Sequence, residues 1–389
     1  MARKICILTS AHPPTDVRIF HKECKSLARA GYEVTLIAPL AEGGMCNGIT
    51  LSPLPRWKNR LDRILRGPIA SFRKALEADA DIYHFHDPEL IPVALLLRFT
   101  GKKVIYDIHE DVPRTISYKT YIPDLLKEPI SHCAEIIENW AGARFSALVA
   151  ANPLIGDRFI KVNENTAVVN NYPKIEELEP HPETPPDKSE AILLYVGMRI
   201  TPARGAYEMV RAMDLLPDKL QAQLRLVGAW DPPELPDALS EIPGWNRTVF
   251  VGTLDRAGVA SELHKASMGL LTLHPEPNYV TSHPVKLFEY MCAGIPVIAS
   301  DFPVWREIVT KSGCGLLVDP SNPNEIAQAM EYLLTHPEEA AEMGRSGLRA
   351  IRENYNWASE ERQLLRLYER LCGCDTVYQG NLVDVGSTP

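Results

Sequence analysis

One predicted helix, residues 284–293, carries a lysine, a glutamate and a tyrosine on a single face. Lys286, Glu289 and Tyr290 have the i, i+3 and i+4 spacing that places side chains side by side on a helix. A helix N-terminus offers unpaired N–H groups and a partial positive charge, which suit a phosphate. A carboxylate one turn further in would bind the hydroxyls of a ribose. The segment therefore predicts a nucleotide-diphosphate site, and the alternative is a surface helix with an ordinary Lys286–Glu289 ion pair.

A second segment favours the nucleotide interpretation. Residues 191–196 have the apolar pattern of a buried strand, and a loop bounded by Gly197 and Gly205 follows before the next helix. Arg199 and Arg204 lie in that loop. Arginine presents a planar set of N–H donors that matches the oxygens of a phosphate. The loop is therefore predicted to clamp a diphosphate.

With both segments, the chain resembles the retaining glycosyltransferases of the GT-B group called family 4, from Lys4 to about Leu371. In that family a similar loop supplies an arginine and a lysine to the donor diphosphate, and Arg199 and Arg204 match those places. Glu289 matches the second glutamate of the family's Glu-x7-Glu pair, which holds the ribose. Thr281 stands where the first glutamate, the contact to the donor sugar, is expected. The resemblance implies a donor-binding set of Gly197, Thr281, Ser282, His283 and Lys286.

Polar side chains follow three predicted strands of the first half of the chain. Ligands of parallel sheets bind at the carboxyl ends of the strands, so these side chains are expected to converge. His109 matches, by resemblance, a histidine that hydrogen-bonds the donor sugar, and it joins Arg199, Arg204 and Glu289 as a predicted catalytic residue. The other predicted acceptor or cleft residues are His12, Asp16, Arg18, His86, Asp87 and Glu110.

Strands and helices alternate twice along the 389 residues, a length that fits two domains. This pattern predicts an α/β protein with two Rossmann-like, doubly wound domains, and the resemblance implies the GT-B arrangement in which they face a central cleft. The predicted parts are an N-terminal acceptor domain (1–172), a proline-rich linker (173–190), a C-terminal donor domain (191–357), a helix that crosses back (358–373) and a disordered tail (374–389).

The net charge of −9 argues against nucleic acid as a partner. No apolar run reaches the roughly 20 residues that span a bilayer, and the first residues lack a signal-peptide pattern. The chain is therefore predicted to be cytoplasmic, with its eight cysteines as free thiols. Residues 56–74 hold seven basic residues and one acidic residue, interleaved with apolar ones. They predict a peripheral site for an anionic membrane surface, or alternatively an ordinary helix with solvated charges.

The resulting expectation is a hexosyltransferase that moves a sugar, with retention, from a UDP- or GDP-sugar to an acceptor hydroxyl. The resemblance implies a carbohydrate or lipid-linked acceptor in the synthesis of cell-surface polysaccharide, glycolipid or lipid-linked glycan. The two arginines would neutralise the leaving diphosphate in a front-face mechanism, so neither a metal nor another cofactor is predicted. The Asp79-Ala80-Asp81 segment precedes a strand and is interpreted as a solvated turn.

Three alternatives are open from sequence alone. A nucleotide-sugar 2-epimerase can use the same two-domain fold, with the histidines and aspartates as acids and bases. A non-catalytic protein that keeps the fold would account for Thr281 in the motif. A metal-dependent hydrolase, which gives the arginine loop no role, would use His84, His86, Asp87, His109 and Asp111.

Overall fold

The computed structural model describes residues 3–117, 119, 122–179 and 191–373. These residues form two compact units. The first holds the chain up to Asn170 and again from Glu360 onward, and the second is Asn171–Ser359. Most of the predicted linker and the whole of the predicted tail lie outside the described residues.

The first unit is built on an eight-stranded sheet with the order β3-β4-β2-β1-β5-β6-β7-β8. All neighbouring strands are parallel except the β3–β4 pair. The central strands are apolar and buried on both faces, as expected for a sheet covered by helices on each side. The strands are β1 (Lys4–Leu8), β2 (Glu33–Pro39), β3 (Gly44–Cys46), β4 (Ile49–Leu54), β5 (Ile82–Phe85), β6 (Lys103–Ile108), β7 (Ala147–Ala150) and β8 (Thr166–Val168).

The helices of the first unit connect these strands. The segment Val17–Cys24, which follows β1, is a π-helix that continues as an α-helix. The α-helices are α1 (Lys25–Arg29), α2 (Arg60–Ala78), α3 (Ile91–Phe99), α4 (Val112–Ile116), α5 (Asp124–Gly142) and α6 (Pro153–Phe159). The last helix of the chain, Trp357–Cys372, belongs to this unit from Glu360 onward. Pro88–Leu90 is a 3₁₀ turn.

The second unit is built on a fully parallel six-stranded sheet with the order β11-β10-β9-β12-β13-β14. Apolar clusters pack on both faces of this sheet. The strands are β9 (Ile192–Ile200), β10 (Gln223–Trp230), β11 (Thr248–Gly252), β12 (Met268–Leu271), β13 (Val297–Ser300) and β14 (Gly315–Val318).

Helices precede and follow these strands, and short 3₁₀ turns lie at Pro202–Arg204, Asp218–Leu220 and Pro243–Arg247. The α-helices are α7 (Ile175–Leu178), α8 (Ala206–Leu215), α9 (Leu235–Ser240), α10 (Arg256–Lys265), α11 (Pro277–Val280), α12 (Val285–Cys292), α13 (Pro303–Ser312), α14 (Pro323–Thr335) and α15 (Pro337–Glu353); the last helix, α16, is Trp357–Cys372.

The predicted α/β class with parallel sheets is confirmed. The sequence interpretation missed the edge strands β3, β4 and β14. It also ended β9 too early, because this strand continues through Gly197 to Ile200. Beyond Val196 the pairing of β9 with β10 shifts in register, so the glycine marks an irregular strand rather than the start of a loop.

Candidate functional site

Glu289 lies on α12 and is almost completely buried. Lys286 donates to one carboxylate oxygen at 2.7 Å, and Arg256 donates to the other. Burial alone would raise the pKa of this carboxyl, but the two cations outweigh burial and hold the pKa at about 2. The group is therefore ionised at neutral pH. The two cations take two of the roughly four acceptor positions of the carboxylate.

Arg256 was missed by the sequence interpretation. It is the first residue of α10, where Asp255 caps the helix by accepting from the N–H of Gly258. Its Nε donates to Glu177 on α7 at 3.0 Å, so its guanidinium bridges two carboxylates. Burial lowers the pKa of Arg256, but Glu289 and Glu177 raise it above its ordinary value.

Arg204 ends a 3₁₀ turn after β9 and is half-buried. Its guanidinium carbon lies 5.7 Å from the ring centre of Tyr279. Burial lowers its pKa, while Tyr195 and Tyr279 raise it above the ordinary value. Gly205 follows with φ 76°, and a Cβ there would be 2.1 Å from the carbonyl oxygen of Thr272. Only glycine fits this position, so the close contact between Gly205 and the backbone of Thr272 fixes the position of the preceding Arg204.

Arg199 lies on β9 rather than in a loop, which corrects the prediction. Its side chain is 62% exposed and donates to Asp231 at 2.6 Å. Gly197 is buried, and a Cβ on it would be 2.5 Å from the hydroxyl oxygen of Tyr195. That hydroxyl donates to the carbonyl of Arg199 at 2.9 Å. The absence of a side chain at Gly197 therefore leaves room for the Tyr195 hydroxyl, which binds the backbone at the end of the strand.

Two of the three polar residues before α12 donate to nearby backbone carbonyls. The Thr281 hydroxyl donates to Pro277 at 3.0 Å, and the Ser282 hydroxyl donates to Tyr279 at 3.1 Å. The carbonyl of Ser282 accepts from Trp305 at 2.9 Å. Burial lowers the pKa of His283, which keeps its imidazole neutral at pH 7. These contacts fix the turn into α12, and Thr281 itself is exposed.

In the first unit, the ends of β1, β5 and β6 come together as predicted. His12 follows β1 and lies 3.6 Å from both Asp16 and Asp87. Its ring centre is 5.2 Å from that of His109, which follows β6. Burial lowers the pKa of His12, but the two aspartates outweigh burial and raise it. Asp16 caps the following helix by accepting from the N–H groups of Arg18 and Ile19.

His109 is the more exposed member of a buried histidine pair, with 21% of its side chain exposed. Its Nε2 is 3.0 Å from Nδ1 of His86, so one of these nitrogens carries the shared proton. Burial lowers the pKa of His109 to about 4, despite the neighbouring carboxylate of Asp107. Burial also lowers the pKa of His86 well below its ordinary range. Both imidazoles are therefore neutral at pH 7, and His109 is suited to hydrogen bonding rather than to carrying a positive charge.

Arg18 and Asp107 form a buried ion pair beneath these histidines. Two guanidinium nitrogens of Arg18 donate to Asp107 at 2.9–3.2 Å, and a third donates to the carbonyl of Val169 at 2.7 Å. Burial raises the pKa of Asp107, but Arg18 and the neighbouring histidines together outweigh burial and keep the pKa well below its ordinary range. Burial and the negative charge of Asp107 raise the pKa of Glu23 well above its ordinary range, which favours its protonated form.

The structure places three predicted first-unit residues differently from the expectation of an open site. Arg18 and His86 are buried and held by protein groups. Asp87 is also buried, and accepts from the hydroxyl of Thr9 at 2.8 Å and from the N–H of Ser10 at 2.6 Å. These three residues support the site from beneath because their side chains are enclosed. Glu110 is exposed next to His109.

Among the described residues, Glu23, His84, His86 and Asp107 have ligand atoms within 4.8 Å of one another. Two imidazoles and two carboxylates are a donor set that divalent transition metals accept. Arg18, however, already places a positive charge against both acidic side chains, at 3.0 Å from Glu23 and 2.9 Å from Asp107. Of the ligands expected for the hydrolase alternative, Asp87 caps the β1 loop and Asp111 pairs with Arg158. The predicted hydrolase site is therefore not assembled.

Comparison with solved structures defines the class of fold. Sucrose-phosphate synthase from Thermosynechococcus elongatus matches with a TM-score of 0.75 at 19% identity, over 95% of this chain and 99% of that chain. Anabaena HepE in complex with UDP and glucose matches with a TM-score of 0.72 at 15% identity, over 95% and 100%. The predicted GT-B fold is confirmed.

Comparison with family models then defines the family. The model of Glycosyltransferase Family 4 matches residues 17–172, and that of Glycosyl transferases group 1 matches residues 177–349. The two ranges together cover most of the chain, which belongs to the family 4 glycosyltransferases of GT-B fold. The prediction that it is an enzyme, a glycosyltransferase, is confirmed.

Two relatives are similar over most of their length. The phosphatidyl-myo-inositol mannosyltransferase of Mycolicibacterium smegmatis is 23% identical over 360 residues, covering 89% of this chain and 88% of the relative. A D-rhamnosyltransferase of Pseudomonas aeruginosa is 26% identical over 284 residues, covering 70% and 69%.

Proposed function

We propose that this glycosyltransferase moves a hexose, with retention of configuration, from a UDP- or GDP-sugar to a hydroxyl of a lipid-linked or carbohydrate acceptor. The observation that carries the proposal is the buried Glu289 carboxylate, which Lys286 and Arg256 hold ionised on α12. An ionised carboxylate fixed in this way binds the two hydroxyls of a ribose. A nucleoside diphosphate matches this combination, because its ribose hydroxyls bind a carboxylate and its phosphates bind arginine donors.

The transfer step develops negative charge on the departing diphosphate. Fixed cations stabilise such charge most effectively where they need no rearrangement. Arg204 meets this requirement, because tyrosines rather than a carboxylate surround its guanidinium. We assign Arg204 to the leaving group and Arg199 to an outer contact, and with these cations the step needs no metal. An oxygen of the departing diphosphate then accepts the proton of the acceptor hydroxyl, on the same face of the sugar from which the diphosphate leaves.

His109 serves the sugar in this proposal. Its neutral imidazole donates or accepts a hydrogen bond without adding a positive charge beside an oxocarbenium-like transition state. The contact to His86 and the Arg18–Asp107 pair beneath hold its ring in place. The 2-epimerase alternative predicts sugar interconversion without an acceptor, and a product analysis separates the two.

The acceptor is proposed to be presented at a membrane surface. Among the described residues, none of the helices has the length and apolarity to cross a bilayer. Helix α2 instead leaves an apolar stripe in solvent beside exposed basic residues such as Arg66 and Arg73. Such a helix binds an anionic surface by its apolar side chains and its charges together. The stripe is formed by Leu61 (65% exposed), Ile64 (40%), Leu65 (63%) and Ile69 (59%). The name of the mycolicibacterial relative, an enzyme that mannosylates phosphatidyl-myo-inositol, supports this acceptor class.

The membrane proposal is tested by co-sedimentation with vesicles. Binding is expected with vesicles rich in phosphatidylglycerol, weaker with phosphatidylcholine alone, and lost in Leu65→Glu. Leu215→Glu, an exposed leucine on α8 of the other unit (49% exposed), is the matched control. Equal binding by Leu65→Glu and the control would assign the basic helix an ordinary solvated role.

The donor proposal is tested by the thermal unfolding of the whole chain with UDP, GDP, ADP, dTDP or CMP, each with EDTA or Mg²⁺. A ligand at about 100 times its Kd adds roughly 2.7 kcal/mol of stability. We expect one nucleoside diphosphate to raise Tm equally with EDTA and with Mg²⁺, and Glu289→Gln to abolish the shift. A shift that needs Mg²⁺ would refute the metal-free proposal, and the absence of any nucleotide shift would refute the donor site.

A further inference from the structure

Helix α5 of the first unit leaves most of its apolar side chains in solvent. The largest exposed fractions are those of Leu125 (92%), Ile136 (54%), Ile137 (53%), Leu126 (50%), Trp140 (47%) and Ile130 (40%). Contiguous apolar surface of this size is unusual on a protein that works alone. It marks a surface that something else covers.

The first part of α5 has little packing of its own. From Asp124 to Ile137 none of its side chains is buried, and the buried residues of the helix begin at Glu138. Contact with α4 provides support, for example through the hydroxyl of Ser131, which donates to the carbonyl of Pro113 at 2.7 Å. A helical segment of this length is only marginally stable in water without a tertiary partner. A partner on the exposed face would supply the missing packing.

The exposed side chains repeat with the spacing of a helix-pairing face. Leu126, Ile130, Cys133, Ile137 and Trp140 follow one another at intervals of four, three, four and three residues. This is the interval pattern of the contact positions of a coiled coil. Cys133 lies midway between Leu126 and Trp140. The stripe therefore extends seven residues from Cys133 in each direction, to Leu126 and to Trp140.

The two ends of the stripe carry opposite charge. Asp124, which is 94% exposed and pairs with Lys127 at 2.7 Å, lies at its N-terminal end with Glu128, so this end keeps a net negative charge. At the other end the guanidinium of Arg144 lies 3.9 Å from the ring centre of Trp140, and Arg98 donates to the carbonyl of Arg144 at 3.1 Å. Two such helices side by side in opposite directions bring the acidic end of each to the basic end of the other. The helix dipoles are also antiparallel in this arrangement.

We propose that α5 is a self-association surface, on which a second copy of this chain binds with its own α5 antiparallel about a two-fold axis near Cys133. A symmetric pair uses the same patch on both copies, and a stripe centred on Cys133 overlaps with its own antiparallel copy along its whole length. An anionic lipid surface fits α5 less well than α2, because the exposed acidic residues beside the α5 stripe would be repelled. A single pair of helices buries a small area, so we expect a weak dimer that dissociates on dilution.

The first test is sedimentation velocity of the full chain over about two decades of concentration, without lipid. The wild type is expected to shift from monomer to dimer as concentration rises. Ile137→Lys should stay monomeric, since it places two lysines against apolar side chains at the pair. Leu215→Lys, an equally exposed site on α8, should dimerise as the wild type does. Lysine is a good helix former, and unchanged melting curves would show that both variants fold.

The second test locates the axis. In a background with Cys46 and Cys374 replaced by serine, a short bis-maleimide linker should join two chains through Cys133, which is exposed, and Cys133→Ser should abolish the product. A cysteine moved to the end of the stripe by Leu126→Cys, in the Cys133→Ser background, should cross-link less, because the antiparallel pair separates these positions.

Three results would overturn the proposal. One is a wild type that stays monomeric at the highest concentration. Another is a dimer that Ile137→Lys leaves intact. The third is binding of monomeric wild type to phosphatidylglycerol vesicles that Ile137→Lys abolishes while Leu65→Glu retains it, which would assign α5 to a lipid surface instead.

Discussion

Arg256→Ala is the substitution that tests the donor site most directly. It leaves the buried Glu289 carboxylate with Lys286 as its remaining cationic partner. The carboxyl pKa is about 2 in the fold against an ordinary 4.5. Because the folded-state value is the lower one, the ionised group stabilises the fold above about pH 4.5, and this stabilisation is lost as pH falls towards 2. At about 1.4 kcal/mol per pKa unit, it amounts to about 3 kcal/mol at neutral pH.

We expect Arg256→Ala to lower the free energy of unfolding at pH 7 by about 1–2 kcal/mol, roughly half of this joint stabilisation, because Lys286 still pairs with the carboxylate. The loss should shrink at pH 4, where the carboxyl of the variant can take up a proton. Nucleotide affinity should fall in the same variant, because the carboxylate is no longer held towards the ribose.

Urea unfolding at pH 7 and pH 4, with nucleotide titration by calorimetry, provides the measurements. Arg225→Ala is a matched control, since Arg225 donates to the buried Glu262 at 2.6 Å while Lys265 donates to the same carboxylate at 3.1 Å. It should cost similar stability but leave nucleotide affinity unchanged. A double-mutant cycle with Glu289→Gln completes the test. Additive losses for Arg256→Ala and Glu289→Gln would refute the coupling, as would equal nucleotide affinity in Arg256→Ala and the wild type.

Three further predictions follow from the site. Arg204→Ala should lower kcat by about 10²-fold or more, while Arg199→Ala has a smaller effect; steady-state rates would contradict the assignment if the two were equal. His109→Ala should abolish transfer and keep nucleotide affinity, and because the His109 pKa is about 4, the pH profile of the wild type should show no acid limb from this residue near 6.5. Asp107→Asn should cost about 3 kcal/mol in urea unfolding because it removes the main counter-charge of the buried Arg18, with Glu23 remaining beside it, whereas Glu23→Gln should cost less because the raised pKa of Glu23 favours its protonated form.

Local sequence patterns predicted the elements that carry the site. The helix predicted over residues 284–293 matches α12 to within a residue at each end. The i, i+3 spacing of Lys286 and Glu289 predicted the contact that the two side chains make at 2.7 Å. The convergence of His12 and His109 also followed from strand order, because the carboxyl ends of parallel strands meet at one edge.

Contacts between residues far apart in sequence were not predictable. Tyr290 was expected to share the polar face of α12, but it is fully buried, and its hydroxyl accepts from the N–H of Val196 at 3.0 Å. Arg18 was expected in an open site, but it pairs with Asp107, 89 residues away. A charge in a sequence does not indicate which distant charge will neutralise it. That depends on strand order and on the depth at which each side chain enters the core.

The same reasoning explains why the two arginines of the predicted clamp differ. Arg199 faces solvent and is already neutralised by Asp231, a pair that water and salt screen. Arg204 is half-buried between Tyr195 and Tyr279, and within the described residues it has no carboxylate at ion-pair distance. Its charge is therefore not compensated by the protein and acts in a less polar environment, where attraction to an incoming anion is stronger. Motif spacing treats the two positions alike, whereas their surroundings make Arg204 the better counter-charge for a departing diphosphate.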